Sequence, residues 1–439
     1  MQPIQGCLPV LLAATIVGAG FAATTFPCDS GSLATACVVN SAHVISDELL
    51  VEGLGTGTLE IQQAGSIICS RSECEIRLSI GSASIDGDLT ASLIEINTTT
   101  GNIVFTQNSA ISTGGRGFFG DEGPGTGRNG TLMGCDATLS GAGGAHGGKG
   151  GTSLYRIADS GCIATESDYP IGGNAHDSAI LPLLAGSGGQ SGYRIDGAFS
   201  QRLGQGGRGG GVILLRSTAN ITFVQNPVLD CNGATGGYSN RASGGGGAGG
   251  TIRLHANRIN GAGRLFASGG GFGDRSYRSG TGSGGRIAFH LARSGKQTYV
   301  PATIQARTGS PANSQTQGQG GGGTIVVLAN AAEPFENYDE LAHARAVLAL
   351  ARSRSISVSE AAYAYRRETS TAARGQLRLD GGLGSYQGRY STSTNYHTTP
   401  LPPASAAGLF AWDELVVSGG CNVTAPTPDV NWASDPTSQ

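Results

Sequence analysis

Residues 244–256 read GGGGAGGTIRLHA: seven small residues, then a segment in which Ile252, Leu254 and Ala256 alternate with Arg253 and His255. Alternation with period two sends the two sets of side chains to opposite faces of a β-strand. The same phrase recurs as GQGGRGGGVILLRS at 204–217, GTGSGGRIAFHL at 280–291 and GQGGGGTIVVLA at 318–329. From strand start to strand start (Val212, Thr251, Arg286, Thr324) the spacings are 39, 35 and 38 residues. A near-constant period of this size marks a chain that stacks similar units along an axis. One unit alone buries too little apolar surface to offset the entropy of ordering it, so neighbouring units must share a core. A second strand is expected later in most units, at 221–224, 265–267 and 303–306. The glycine tracts read as long, mobile loops on one side of the stack.

Outward from these repeats, residues 59–110 keep the same alternation. It is strict in EIRLSI at 75–80 and continues through Ala83, Ile85, 93–96 and 103–105. Glycine, Asp and Asn between these segments predict short strands joined by tight turns. Residues 114–211 are glycine-rich, densest in GAGGAHGGKGG at 141–151. Beyond the repeats, DELAHARAVLALAR at 339–352 has acids at its start and arginine at its end, which predicts a helix; a weaker one is read at 358–367. The resulting division is a signal peptide at 1–22, an N-terminal cysteine-containing segment at 23–58 and a strand-built body at 59–332. A helical insertion at 333–375, terminal strands at 376–425 and a disordered tail at 426–439 follow.

Of 439 residues, 75 are glycine, more than twice the usual share of about 7%. The net charge of −3 and the scattered arginines exclude the clustered basic face that nucleic acid requires. Residues 10–22 form an uncharged apolar run ending in Gly20-Phe21-Ala22, the small-residue pattern of a signal cleavage site. No later run reaches the ~18 apolar residues that a membrane span needs. Nine cysteines become eight once Cys7 leaves with the signal. Cys28 and Cys37, and Cys69 and Cys74, are close enough to pair; Cys135 and Cys162 are candidates to clamp a loop, which would leave Cys231 for Cys421. Sequons at Asn97, Asn129, Asn220 and Asn422 mark glycosylation candidates on an extracellular surface.

A family resemblance runs through these segments. CSRSEC at 69–74 leads into EIRLSI, then GAGGAHGGKGG, then GGGGAGGTIRLHANRINGAGRLFASGGG at 244–271, then SGGRIAFHL. The order resembles large glycine-rich extracellular proteins of plants and protists that carry pectin-lyase-like β-helix regions, some labelled ephrin-receptor-like. The similarity covers about residues 59–330 and, more faintly, 377–424. It implies an all-β, parallel β-helix-like solenoid with long glycine-rich loops, and an extracellular location, without naming an activity. Relatives continue into cysteine-rich and membrane-spanning regions. This chain is therefore expected to be a fragment or a short secreted relative, with membrane attachment if the natural chain is longer.

Several motif readings fail on chemistry. Residues 143–149 fit the start of a phosphate loop, but Gly150 stands where Ser or Thr must bind magnesium. In GGFGD at 270–274 the aspartate falls one place too early for a calcium-binding nonapeptide and does not recur. No CxxC occurs and the histidines are dispersed, so no metal or cofactor is expected. Asp230 and Asp274 are the only acids between 204 and 328, too few for the paired carboxylates of a sugar-cleaving groove. His255 and His290 occupy matching places in successive repeats and are expected to decorate a solvated outer face. With the loop residues Tyr238, Tyr277, Arg275 and Arg278 they define a binding face for extracellular glycans or cell-surface proteins. The function expected is structural or adhesive, with a polysaccharide lyase or glycoside hydrolase as the alternative.

Overall fold

Glu75–Ile80 shows why the chain extends: its burial alternates, with Ile76, Leu78 and Ile80 inside and Glu75, Arg77 and Ser79 facing out. The structure, a computed structural model, describes residues 24–328 apart from short stretches, the longest being 129–136, 159–168 and 310–317, together with strands at Gly375–Asp380 and Trp412–Ser418. The protein is all-β, with no helix among the described residues. The helices expected at 339–352 and 358–367, and the signal at 1–22, lie outside the described residues.

Three large sheets hold most strands, of eight, eight and seven strands. From Leu50–Leu54 to Thr324–Leu328 the chain visits them in a fixed order. Glu75–Ile80 is in the first sheet, Ser82–Ile85 in the second and Asp88–Thr90 in the third; Leu93–Thr98 then returns to the first. Every pairing in these sheets is parallel except Ser30–Gly31 with Ala36–Val39. The four glycine-preceded strands lie side by side in the first sheet, so Ile213, Ile252, Ile287 and Ile325 form one row. All four are buried in a single apolar cluster reaching from Phe26 to Ile325. In the second sheet Phe105 and Phe223 stack at 5.3 Å between ring centroids.

The later strand expected in each unit proves to be two strands in different sheets. Asn220–Phe223 and Arg258–Gly261 belong to the second sheet, Val228–Asp230 and Arg264–Phe266 to the third. At three or four residues apiece, these strands are too short for periodicity to separate them.

The larger difference concerns glycine. Early coils join the third sheet to the first by short links, as between Thr90 and Leu93, whereas later coils use residues 231–250, 267–285 and 306–323. The glycine runs at 244–250 and 280–285 are buried and hydrogen-bonded rather than mobile surface loops. Residues 244–250 show the rule. Gly244, Gly247 and Gly250 donate to the carbonyls of Gly237, Ala234 and Cys231, while Gly245 and Ala248 donate to Gln190 and Ser187. Gly246 and Gly249 donate to Gly280 and Ser283. Every third amide thus meets the same neighbour, the periodicity of a polyproline II screw at three residues per turn. Such a screw has no internal hydrogen bonds, so its amides are free to bond sideways, and here they tie the runs into layers. A Cβ on Gly245 would stand 2.0 Å from the Ala142 carbonyl oxygen, and one on Gly282 1.9 Å from that of Gly247. Only glycine permits the packing.

Residues 113–211 form an insertion between adjacent strands of the first sheet: Leu93–Thr98 pairs directly with Val212–Ser217, and the Gly211 amide donates to the Thr113 carbonyl. The insertion adds further glycine runs and a four-stranded antiparallel sheet. Where it begins to cover the first sheet, the burial pattern changes from alternating to nearly continuous, as in Val212–Ser217 and Thr251–Ala256.

Candidate functional site

The most concentrated ionisable group among the described residues lies where the insertion meets the outer side of the first sheet. His146 comes from the glycine run at 141–151, His176 and Asp177 from the insertion's later part, and Arg286 from the strand Arg286–Leu291. All four are buried. The Arg286 guanidinium donates to the His176 carbonyl through Nε (3.1 Å) and Nη2 (2.7 Å), to the His146 carbonyl at 3.3 Å and to Thr324 Oγ1 at 3.1 Å. One side chain therefore fastens two parts of the insertion to two adjacent strands.

Asp177 sits at φ 68°, a left-handed conformation that aspartate tolerates better than most residues. That turn lets its carboxylate accept amides from Ser178 (2.7 Å), Leu183 (2.9 Å) and Leu184 (2.9 Å). His146 Nε2 faces the same carboxylate at 3.4 Å, while its Nδ1 lies 2.8 Å from the Gly249 carbonyl oxygen. Burial pushes the Asp177 carboxyl up, but the His146 ring, Arg286 and the backbone amides outweigh it and hold the group at about 2. The His176 ring lies 4.9 Å from that of His146, and neither of its nitrogens has a hydrogen-bond partner. Burial first, then the neighbouring His146 and, less strongly, Arg286 hold His176 down at about 3; the Asp177 carboxylate and the Ala185 carbonyl favour the charged form but too weakly to offset them, the latter without hydrogen-bond geometry. The cluster works as an enclosed junction, with its charges spent on backbone groups.

His255 and His290 are register partners, their rings edge-to-face at 6.2 Å. The solvated outer face expected for them is not what forms. His290 is buried, and burial first, then Arg216 and Arg253, hold His255 down at about 4. The reason is the insertion, whose Leu184 carbonyl accepts from Thr251 Oγ1 on that same sheet (2.8 Å). Tyr238 is exposed, whereas Tyr277, Arg275 and Arg278 lie outside the described residues. Asn97 and Asn220 are half-buried on outward strand positions; Asn129 and Asn422 lie outside the described residues.

Two disulfides form, Cys28–Cys37 and Cys69–Cys74, the second linking the end of a third-sheet strand to the start of a first-sheet strand. Cys231 corrects the expected bond to Cys421. It is a free, buried thiol that receives a hydrogen bond from Thr113 Oγ1 (3.0 Å) and donates to the Thr251 carbonyl (3.2 Å). Enclosed between coils, it packs as a small apolar side chain, and burial pushes its titration well up. Cys135, Cys162 and Cys421 lie outside the described residues. Among the described residues no helix is long and apolar enough to cross a membrane, and the disulfides are compatible with an extracellular location.

Sequence reasoning passed over His146, His176, Asp177 and Arg286. The one available signal was His146, which with Lys149 is one of two large polar side chains in a run otherwise made of glycine and alanine. No protein-family model matches the sequence, and neither a curated protein nor a solved structure matches it.

Proposed function

We propose that this is a secreted or cell-surface structural and adhesive protein, a parallel β-helix-like body braced by glycine layers, that holds extended extracellular glycans against a flat face. The observation that carries this reading is the outer side of the second sheet. There Glu60, Ser84, Val104, Thr222 and Asn260 form one register row, beside a second row that includes Thr58, Ser82, Asn220 and Arg258. Thr58, Glu60, Ser84 and Arg258 are exposed and the others half-exposed. Parallel strands repeat every ~4.8 Å, so hydroxyl, amide and charged side chains recur at even intervals along these rows. A repetitive polar polymer finds the same contacts at each step, and affinity then comes from many weak interactions in series.

The resemblance to glycine-rich extracellular proteins agrees with this assignment, as do the two disulfides. The test is binding of the purified chain to a panel of neutral and acidic cell-wall polysaccharides, with Ser84→Arg as the comparison. Retention on at least one polymer, weakened about tenfold or more by Ser84→Arg at unchanged melting temperature, supports the assignment. Inertness across the panel overturns it, and release of unsaturated sugars establishes a lyase instead.

A further inference from the structure

We propose that His176 is the trigger of an acid-sensitive clasp: its protonation opens the junction at which His146, His176 and Asp177 meet Arg286 of the first sheet. Four groups face one another there and leave no room for a further charge. His146 approaches His176 from the glycine run at 141–151, Arg286 approaches from the first sheet, and Asp177 is its chain neighbour. Gly125 closes the remaining side, so tightly that a Cβ there would stand 2.7 Å from His176 Nδ1. Asp177 is the only anion at this point among the described residues, and its carboxylate is already engaged by three backbone amides and His146.

A proton arriving on His176 adds a second N–H donor without an acceptor and a cation beside Arg286. Opening relieves both, because a solvated imidazolium finds water at once. The sign follows from the direction of the shift. His176 titrates at about 3 when enclosed and near 6.5 when solvated. Between those values the open form binds a proton that the closed form cannot. The opening constant therefore rises about tenfold for each pH unit below ~6.5. Opening withdraws the Leu184 carbonyl from Thr251 and the His146 and His176 carbonyls from Arg286, and so exposes the outer side of the first sheet around Thr251 and Arg286. A locally stable cover that releases before the body unfolds is a two-state element of the kind pH switches use.

Hydrogen exchange at the Leu183 and Leu184 amides, corrected for intrinsic rate, reads the opening directly from pH 7.5 to 4.5. In the full chain the opening constant is expected to climb about tenfold per unit below ~6.5, and in His176→Gln to lose that increment. Equal slopes in the two proteins overturn the proposal. Should His176→Gln not fold, the wild-type His176 ring resonance decides. A ring that becomes protonated only in step with a rising opening constant supports the clasp, and protonation of the ring without any rise in the opening constant overturns it.

Discussion

Glycine is usually discussed for its backbone freedom, but in this chain its missing side chain matters more. At Gly247 an added Cβ would stand 2.0 Å from the Arg208 carbonyl oxygen, a rigid backbone atom that cannot step aside. Gly247→Ala is therefore expected to lower stability by about 3 kcal/mol or more, in the range of severe core lesions. At Gly237 the nearest atoms are 3.2 Å away, and Gly237→Ala should stay within about 1 kcal/mol of the wild type. Denaturant melts of the two variants check the contrast. Asp177 provides a second test at this scale. Its carboxyl is held at about 2 in the fold against ~3.9 when unfolded. The stability it contributes is present above about pH 4 and lost as pH falls towards 2. Asp177→Asn should remove that part of the acid dependence and cost about 3–5 kcal/mol at neutral pH, because the buried Arg286 loses its nearby counter-charge.

At the scale of elements, the later repeats join two kinds of extended chain that use hydrogen bonds differently. In the strands, amides bond to the coils above and below, and side chains decide which face is dry. In the glycine runs, amides point outward in rotation and bond to neighbours on several sides, so no side chain can intervene. The Ile213–Ile252–Ile287–Ile325 row tests the first kind. Ile252→Ala in the middle of that row should cost about 2–5 kcal/mol, read from equilibrium unfolding. The solvated face expected around His290 failed to form for a reason at this same scale. A strand pattern tells which residues share a side, and it says nothing about what another segment later lays over that side.

At the scale of the whole molecule, the insertion at 113–211 spreads its contacts over the glycine layers and the first sheet, while its ends nearly touch: the Gly211 amide bonds to the Thr113 carbonyl. A chain in which residues 114–210 are excised, joining Thr113 to Gly211, is therefore expected to keep its parallel sheets, because Leu93–Thr98 already pairs with Val212–Ser217. Its far-UV circular dichroism should retain the strand signal while Arg253 and Arg286, now uncovered, raise its solubility dependence on salt. Loss of the strand signal on excision would show that the insertion is needed for the body to fold.

Period-two alternation in the strands and the recurrence of 39, 35 and 38 residues were enough to establish stacked β units and their shared row of isoleucines. Both properties are local: they depend on which side chains must leave water, and each strand carries that information within itself. The two short cysteine pairs were legible for the same reason. The destiny of the glycine runs was not. A glycine looks identical to sequence reasoning whether it faces solvent or another backbone, since it has no side chain whose polarity could reveal its surroundings. Only the tertiary structure brings these runs within hydrogen-bonding distance of one another, turning apparent loops into interior layers and burying His146, His176, Asp177 and Arg286 where those layers meet the first sheet.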